Sequence, residues 1–186
     1  MVKKIIAIAF LLFCISFPVA AENQSGALNL SPMLGSQVFE GNQALDSSTF
    51  WGVNLGYNFT ENWGIEGVFT STNADAKDDS TADTKVKTYR LDCLYHFMPT
   101  KKLVPYFALG FGAIDSNPDE GSSRSHLLLN YGVGVKYFIL DNLIALRADV
   151  RHLLDFPEPD NNLQYSAGLT FQLGRPKQPV KTDKVQ

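Results

Sequence analysis

Hydrophobic and polar positions alternate along most of the chain with a period of two. The alternation is clearest in residues 50–59, where every second position is apolar: Trp51, Val53, Leu55, Tyr57 and Phe59. Successive side chains of a β-strand point to opposite faces, so this period predicts strands with one apolar face and one polar face. Eight such segments are predicted: 27–38, 50–59, 63–72, 86–97, 104–114, 129–138, 143–152 and 163–173.

The connections between these segments alternate between short and long. Three are short: 60–62, 98–103 and 140–142. Four are longer and polar: 39–49, 73–85, 115–126 and 153–161. Outer-membrane barrels combine strands of about ten residues with short periplasmic turns and longer extracellular loops. The pattern therefore predicts an all-β fold, an eight-stranded antiparallel up-and-down transmembrane β-barrel with both chain ends on the periplasmic side.

Side-chain volume predicts which face of each strand points outward. An eight-stranded barrel has an interior that side chains just fill. The apolar parity carries too many aromatic rings for that interior, whereas the polar parity is rich in glycine. We therefore expect the rings to face lipid, with an aromatic girdle near the periplasmic edge. The predicted girdle consists of Tyr57, Phe59, Trp63, Tyr95, Phe97, Phe107, Tyr137 and Phe171.

The same parity places charged side chains inside the barrel. We call this set the lumen charge network: Glu66, Arg90, Asp92, Lys136, Arg147, Asp149 and Arg151. Buried charges need partners, and opposite charges in a narrow barrel can supply them to one another. The favoured interpretation is a closed core held by salt bridges. The alternative is an ion path that opens when those salt bridges rearrange.

The N-terminus has the pattern of a secretory signal peptide. Lys3 and Lys4 precede an apolar stretch, and small residues lead to a predicted cleavage site after Ala21. The predicted organisation is a signal peptide in residues 1–21, a barrel in 22–174 and a flexible periplasmic tail in 175–186. Cleavage removes Cys14 and leaves Cys93 alone, so no intramolecular disulfide is expected.

Charge and composition remove further functions. The chain has 16 Lys and Arg against 19 Asp and Glu, a net charge of −3, so nucleic-acid binding is not expected. The acidic stretch with Asp75, Asp78, Asp79 and Asp83 lacks the spacing and the glycine of an EF-hand loop. We predict no metal site and no cofactor.

No catalytic constellation stands out around the three histidines: His96 inside the barrel near Asp92 and Arg90, His126 after Ser125 at a loop edge, and His152 facing outward at the outer rim. Some outer-membrane barrels modify lipids with a His/Ser pair at the outer leaflet, so we consider His152 and the Ser125-His126 pair for this role. The sequence gives the His, Ser and acidic residues no fixed register, so interfacial side chains that reach toward lipid head groups are the favoured interpretation. We predict no enzymatic activity.

Short motifs in order along residues 27–174 resemble the N-terminal barrel of the outer membrane protein A family. They include 52–57 (GVNLGY), 62–66 (NWGIE), 132–138 (GVGVKYF) and 146–151 (LRADVR). Residues 166–173 look like the C-terminal signal that the barrel assembly machinery recognises. Members of the family often continue through a Pro-rich linker into a peptidoglycan-binding domain. Only a short tail follows here, so we do not expect cell-wall anchoring from this sequence.

The sequence thus predicts a non-enzymatic outer-membrane barrel of a Gram-negative bacterium. Small barrels of this kind are similar in size to adhesion and serum-resistance proteins, which implies a structural or surface-interaction role carried by the extracellular loops. The expected partners are outer-membrane lipid, the assembly machinery and a host or surface ligand at the loops. The alternatives are a small ion-conducting channel and, less favoured, a lipid-modifying enzyme.

Overall fold

A computed structural model describes residues 23–38, 48–74, 84–118, 124–156 and 161–174. These residues form eight strands: β1 Leu28–Val38, β2 Ser48–Asn58, β3 Trp63–Ala74, β4 Thr84–His96, β5 Leu103–Pro118, β6 Arg124–Leu140, β7 Ile144–Phe156 and β8 Asn161–Leu173. Each strand pairs antiparallel with its neighbours in sequence, and β8 pairs with β1 to close the barrel. The predicted fold class is confirmed. Within the described part of the chain, no helix has the length and apolar character needed to cross a membrane.

Burial alternates along the strands as the period of two requires. In β7, Arg147, Asp149 and Arg151 are buried, whereas Leu146 and Val150 between and beside them are exposed. The polar parity therefore faces the lumen and the apolar parity faces outward. Since the chain starts and finishes the barrel at one end, we call that end the terminal end and the opposite end the loop end.

The strands extend further at the loop end than the hydrophobic pattern predicts. β5 runs to Pro118 and β6 starts at Arg124, so the predicted loop 115–126 is largely a continuation of the ladder. The predicted connections 73–85 and 153–161 are shortened in the same way by the strands on either side. Backbone pairing continues here although the side chains on both faces of the hairpin are polar. An alternation of apolar and polar residues is absent in such a segment and so cannot predict the strand. The predicted signal peptide, the acidic stretch and the tail lie outside the described residues.

The interior is less uniformly polar than the sequence predicts. Near the terminal end, Val104, Phe138 and Ala145 form a buried apolar cluster. Toward the loop end, inward apolar side chains cover the charged middle of the lumen: Met33, Phe50, Val68, Ile114, Leu128 and Leu153. The expectation of small and charged residues alone was therefore incomplete. Apolar side chains therefore lie on both sides of the charges, among buried polar side chains such as Thr88 and Gln172.

Residues that precede β1 close the terminal end. The side-chain amide of Asn23, which is fully buried, donates to the backbone oxygen of Glu61 over 2.7 Å. The backbone nitrogen of Asn23 donates to the backbone oxygen of Pro99 over 2.8 Å. Asn58 donates in turn to the side-chain oxygen of Asn23 over 3.2 Å. This segment therefore joins the first two turns across the mouth of the barrel.

Candidate functional site

The lumen charge network lies on two pairs of neighbouring strands, β3 with β4 and β6 with β7. All seven of its side chains are buried, none more than 7% exposed. Register sets their spacing, because Glu66 lies opposite Asp92, and Arg147 lies opposite Lys136. Asp149 and Arg151 lie opposite Gly134 and Gly132 of β6, and the glycine at 132 leaves room for Arg151, because a Cβ there would lie 2.8 Å from Cδ of Arg151.

Six members of the network form a chain of alternating charge. Arg147 binds Glu66 with both terminal nitrogens, over 2.6 and 2.8 Å, and its Nε donates to Asp149 over 2.8 Å. Arg151 donates to the other oxygen of Asp149 over 2.8 Å. The fork of a guanidinium group matches a carboxylate in this two-bonded geometry, which fixes orientation as well as attraction.

The contacts among Arg151, Asp92 and Arg90, at the other end of this series of charges, are longer. Arg151 Nη1 lies 3.8 Å from Asp92 Oδ2, and Arg90 Nε lies 4.0 Å from the same oxygen. These distances exceed a hydrogen bond, so the attraction is electrostatic. The other oxygen of Asp92 accepts a hydrogen bond from the Asn130 amide over 2.8 Å.

Tyr106 is a central lumen residue that the sequence analysis did not single out. Its hydroxyl donates to Asp149, and the guanidinium carbon of Arg147 lies 5.2 Å from its ring centre. Gly134 makes room for the ring, since a Cβ there would lie 2.4 Å from the Tyr106 ring and hydroxyl. Tyr106 occupies an inward-facing position of β5, as Ala108 does, and this position in the alternating pattern could have identified it as a lumen residue.

Lys136 has a different kind of partner from the rest of the network. Its Nζ lies 3.1 Å from Nε2 of His96, and the ion pairs among the described residues do not include it. The other ring nitrogen of His96 lies 3.2 Å from the backbone oxygen of Asn62. Because a carbonyl can only accept, Nδ1 carries the proton and Nε2 accepts from the lysine. The hydrogen-bonding and ring contacts of His96 among the described residues are with Lys136, Asn62 and Tyr106 rather than with Asp92 or Arg90, and Lys136 reaches it from β6, which is separated from β4 by β5.

Little space remains between these side chains. A cavity of about 10 Å³ lies between the network and the loop-end apolar layer, which is room for about one water molecule. Its lining includes Arg90, Arg151 and Gln164. The described part of the lumen is therefore largely filled by side chains.

The other two histidines do not share a site. His126 faces inward on β6, 3.4 Å from Asp155, whereas His152 faces outward on β7 and contacts the hydroxyl of Tyr131 over 2.9 Å. The wall of the barrel separates them, and the side chain of Ser125 lies outside the described residues. Within the described ranges, no group of three or more His, Cys, Asp or Glu side chains is arranged to hold a metal ion.

The aromatic side chains named for the girdle all lie on the outer face. Five are exposed, and Tyr95, Tyr137 and Phe171 are half-buried against neighbours. Trp63 and Tyr95 pack edge to face with ring centres 4.8 Å apart, and Tyr95 and Phe97 do so at 5.0 Å. The Trp63–Tyr95 pair joins β3 to β4, and cross-strand aromatic pairs of this kind stabilise a sheet. Their depth in a bilayer stays a prediction.

The sequence matches the family described as outer membrane protein beta-barrel domain over residues 5–174. Comparison with curated protein sequences gave no match.

Solved structures with the same fold include three bacterial barrels. Neisserial surface protein A (NspA) is 18% identical, with a TM-score of 0.65 over 79% of this chain and 97% of that chain. The N-terminal β-barrel domain of Pseudomonas aeruginosa OprF is 16% identical, with a TM-score of 0.60 over 80% and 98% of the two chains. Ail, the attachment invasion locus protein of Yersinia pestis, is 17% identical, with a TM-score of 0.56 over 81% and 100%. At these identities the likeness is one of fold.

Proposed function

The chain belongs to the family of outer membrane protein beta-barrel domains, and from this premise we propose that it is a closed barrel without enzymatic activity. Its role is structural or depends on binding at the loop end, and it does not conduct solutes. The observation that carries the proposal is the filled lumen, in which six of the seven charged side chains of the network are paired and the cavity measures only about 10 Å³. A protein of this kind acts through its outer surface and its two ends.

The orientation follows from the two ends of the barrel. The terminal end carries short turns, such as the one between β2 and β3, and in outer-membrane barrels short turns lie in the periplasm. The loop end then faces the cell exterior, and residues 166–173 on β8 are available to the barrel assembly machinery. Membrane lipid is the partner of the apolar outer face, which exposes large side chains such as Leu55, Leu109 and Val133.

A surface role is supported by the length of the strands β5 and β6. β5 and β6 contain 16 and 17 residues, against 11 in β1 and in β2. β5 and β6 pair with each other from Leu103↔Tyr137 to Ser116↔Arg124, so the loop-end termini of both strands are part of the sheet. Among proteins of the same fold, one is named as a surface protein and another for attachment and invasion. A host or surface ligand at the loop end fits both observations.

Replacement of residues 119–123 by a short Gly-Ser turn tests the proposal in Gram-negative cells. We expect the variant to reach the outer membrane and to keep its heat-modifiable gel mobility. Adhesion of the cells to cultured epithelial cells, or their resistance to detergent, should fall relative to the unaltered protein. The proposal would be contradicted if the variant lost small-solute uptake while adhesion and detergent resistance stayed unchanged. It would also be contradicted if solute uptake, adhesion and detergent resistance all stayed unchanged.

The absence of enzymatic activity has a separate test. The purified protein is incubated with lipid A or with phospholipid, and the products are examined by mass spectrometry. We expect no product. A product that the wild type makes and His152→Ala does not would instead assign a lipid-modifying activity to the outer rim.

A further inference from the structure

We propose that the outer face of β6 and β7 binds one acyl chain of lipid A, whose ester or amide carbonyl is held by Tyr131 and His152. These two residues lie opposite each other on the two strands, and Nδ1 of His152 is 2.9 Å from the hydroxyl of Tyr131. Their rings also pack edge to face, with centres 5.1 Å apart. The pair therefore forms one polar unit on the outside of the barrel.

Apolar residues surround this polar pair along both strands. Toward the loop end Leu129 lies opposite Leu154, and toward the terminal end Val133 lies opposite Val150. Among the described outward-facing residues of β7, His152 is the only one with a polar side chain. A polar group on a lipid-facing surface is costly unless a partner satisfies it, so such a residue commonly marks a binding site.

The pair carries more hydrogen-bond donors than it can use internally. A phenol hydroxyl has one hydrogen to donate and an imidazole has at least one, and the single contact between them uses one. Among the described residues, the two side chains have no hydrogen-bond partner other than each other. At least one N–H or O–H is therefore left for a ligand, whichever tautomer is present. The ester and amide carbonyl oxygens of an acyl lipid are acceptors and complement this donor.

A groove that can receive the acyl chain begins beside the pair. It has a volume of about 410 Å³, and its lining includes Val133 and Val150, the next outward residues toward the terminal end. Val135 and Ala148, which lie opposite each other, continue it, and the short side chain of Ala148 leaves the face recessed there. From the loop end to the terminal end, the polar pair precedes the apolar groove, as the carbonyl precedes the hydrocarbon chain in a lipid of the outer leaflet.

The height of the pair on the barrel agrees with this order. Tyr131 precedes Ile139, which is exposed at the terminal end of β6, by eight residues. This separation is about 20 Å along the barrel axis for a rise of about 3.4 Å per residue and a tilt of about 40°. The apolar band of such barrels is about 25 Å tall, so the pair lies just below its upper edge, where acyl carbonyls are found. The inference rests on the proposed orientation, in which this edge borders the outer leaflet and therefore lipid A.

Native mass spectrometry tests which lipid the site takes. The full barrel is extracted from outer membranes in mild detergent, and the lipid that stays bound is identified by its mass. We expect one unmodified lipid A per barrel. Retention of a phospholipid instead, or of no lipid, would overturn the proposal.

Titration of lipid A into the delipidated, folded barrel tests the polar pair. The double substitution Tyr131→Phe with His152→Leu should raise the Kd about tenfold, because one hydrogen bond to the carbonyl is lost. Tyr89→Phe is the control, since Tyr89 is an outward tyrosine of β4 that is 45% exposed, against 44% for Tyr131. Equal Kd values for the wild type and the double variant would overturn the proposal.

The groove has its own pair of variants. Ala148→Leu fills the recess and should weaken the binding of lipid A, whereas Ala113→Leu changes an outward alanine of β5 that does not line the groove and should leave the Kd unchanged. Heat-modifiable gel mobility confirms that each variant is folded before titration. An unchanged Kd in folded Ala148→Leu would contradict the placement of the acyl chain.

The orientation is tested separately, so that the two proposals can fail independently. An epitope inserted between Pro118 and Arg124 should be labelled by antibody on intact cells. Absence of labelling would contradict the proposed orientation of the barrel. Labelled cells whose barrel retains no lipid A would contradict only the lipid site.

Discussion

At the scale of single residues, Arg147 joins two buried carboxylates of the lumen charge network. It binds Glu66 and Asp149 simultaneously through its Nε and both terminal nitrogens. The contribution of a buried ion network to the free energy of unfolding differs from the cost of breaking it. A complete buried network contributes little net stability, whereas loss of one member leaves an unpaired charge in a dry interior. The network therefore determines which arrangement of the lumen is accessible.

Arg147→Ala should lower the free energy of unfolding by about 3–5 kcal/mol, because two carboxylates lose their principal partner. Urea unfolding in lipid vesicles, followed by tryptophan fluorescence, measures the change. Lys87→Ala is the control, since Lys87 is a basic residue on the outer face of β4 and its loss should cost about 0–1 kcal/mol. Equal midpoints for the wild type and Arg147→Ala would contradict the network.

Close approach between Gly134 and Tyr106 gives a second test at this scale. An alanine at position 134 would place its Cβ 2.4 Å from the ring, so the ring and its bond to Asp149 must shift. Gly134→Ala should destabilise the barrel by about 1–3 kcal/mol. Gly67→Ala is a matched control, because a Cβ there meets nothing closer than 3.8 Å. Identical unfolding curves for the two variants would contradict the packing described here.

At the scale of strands, the period of two was sufficient to predict their number, order and inward faces. Alternation is a local property, and each strand carries it independently of its neighbours. The loop-end extensions of β5 and β6 were missed because both faces are polar there, so the period disappears while backbone pairing continues.

The partners inside the lumen could be predicted only in part. Parity alone identified the charged members, all of which are buried. Contacts such as Tyr106 with Asp149 and His96 with Lys136 join strands that are not adjacent in sequence order. They depend on the stagger of the closed sheet, which no single strand encodes.

The outward face of β2 gives a prediction for a whole strand. Leu55 is 65% exposed near the middle of the strand, and Thr49 is exposed near its loop end. In a bilayer, Leu55→Arg should cost about 2–4 kcal/mol and Thr49→Arg about 0–1 kcal/mol, because the penalty depends on depth. Folding into vesicles measures both. Equal costs at the two positions would contradict the assignment of this face to lipid.

At the scale of the whole molecule, the barrel is closed at three levels. Asn23 and its partners join the turns at the terminal end, the lumen charge network crosses the middle, and an apolar layer lies above it. Each level excludes water by a different means: amide hydrogen bonds, paired charges and apolar packing. A continuous aqueous path would require all three to open together.

Conductance across a planar lipid bilayer tests this closure most directly. The unaltered protein is first shown to be folded by its heat-modifiable gel mobility and is then inserted into the bilayer. It should leave the current at the level of the bare bilayer. Arg147→Ala serves as the comparison, because it removes only the central pairing; with the other two levels of closure in place, it should also leave the current at the level of the bare bilayer. Steady single-channel steps from the unaltered protein would contradict the account and assign the barrel to ion conduction.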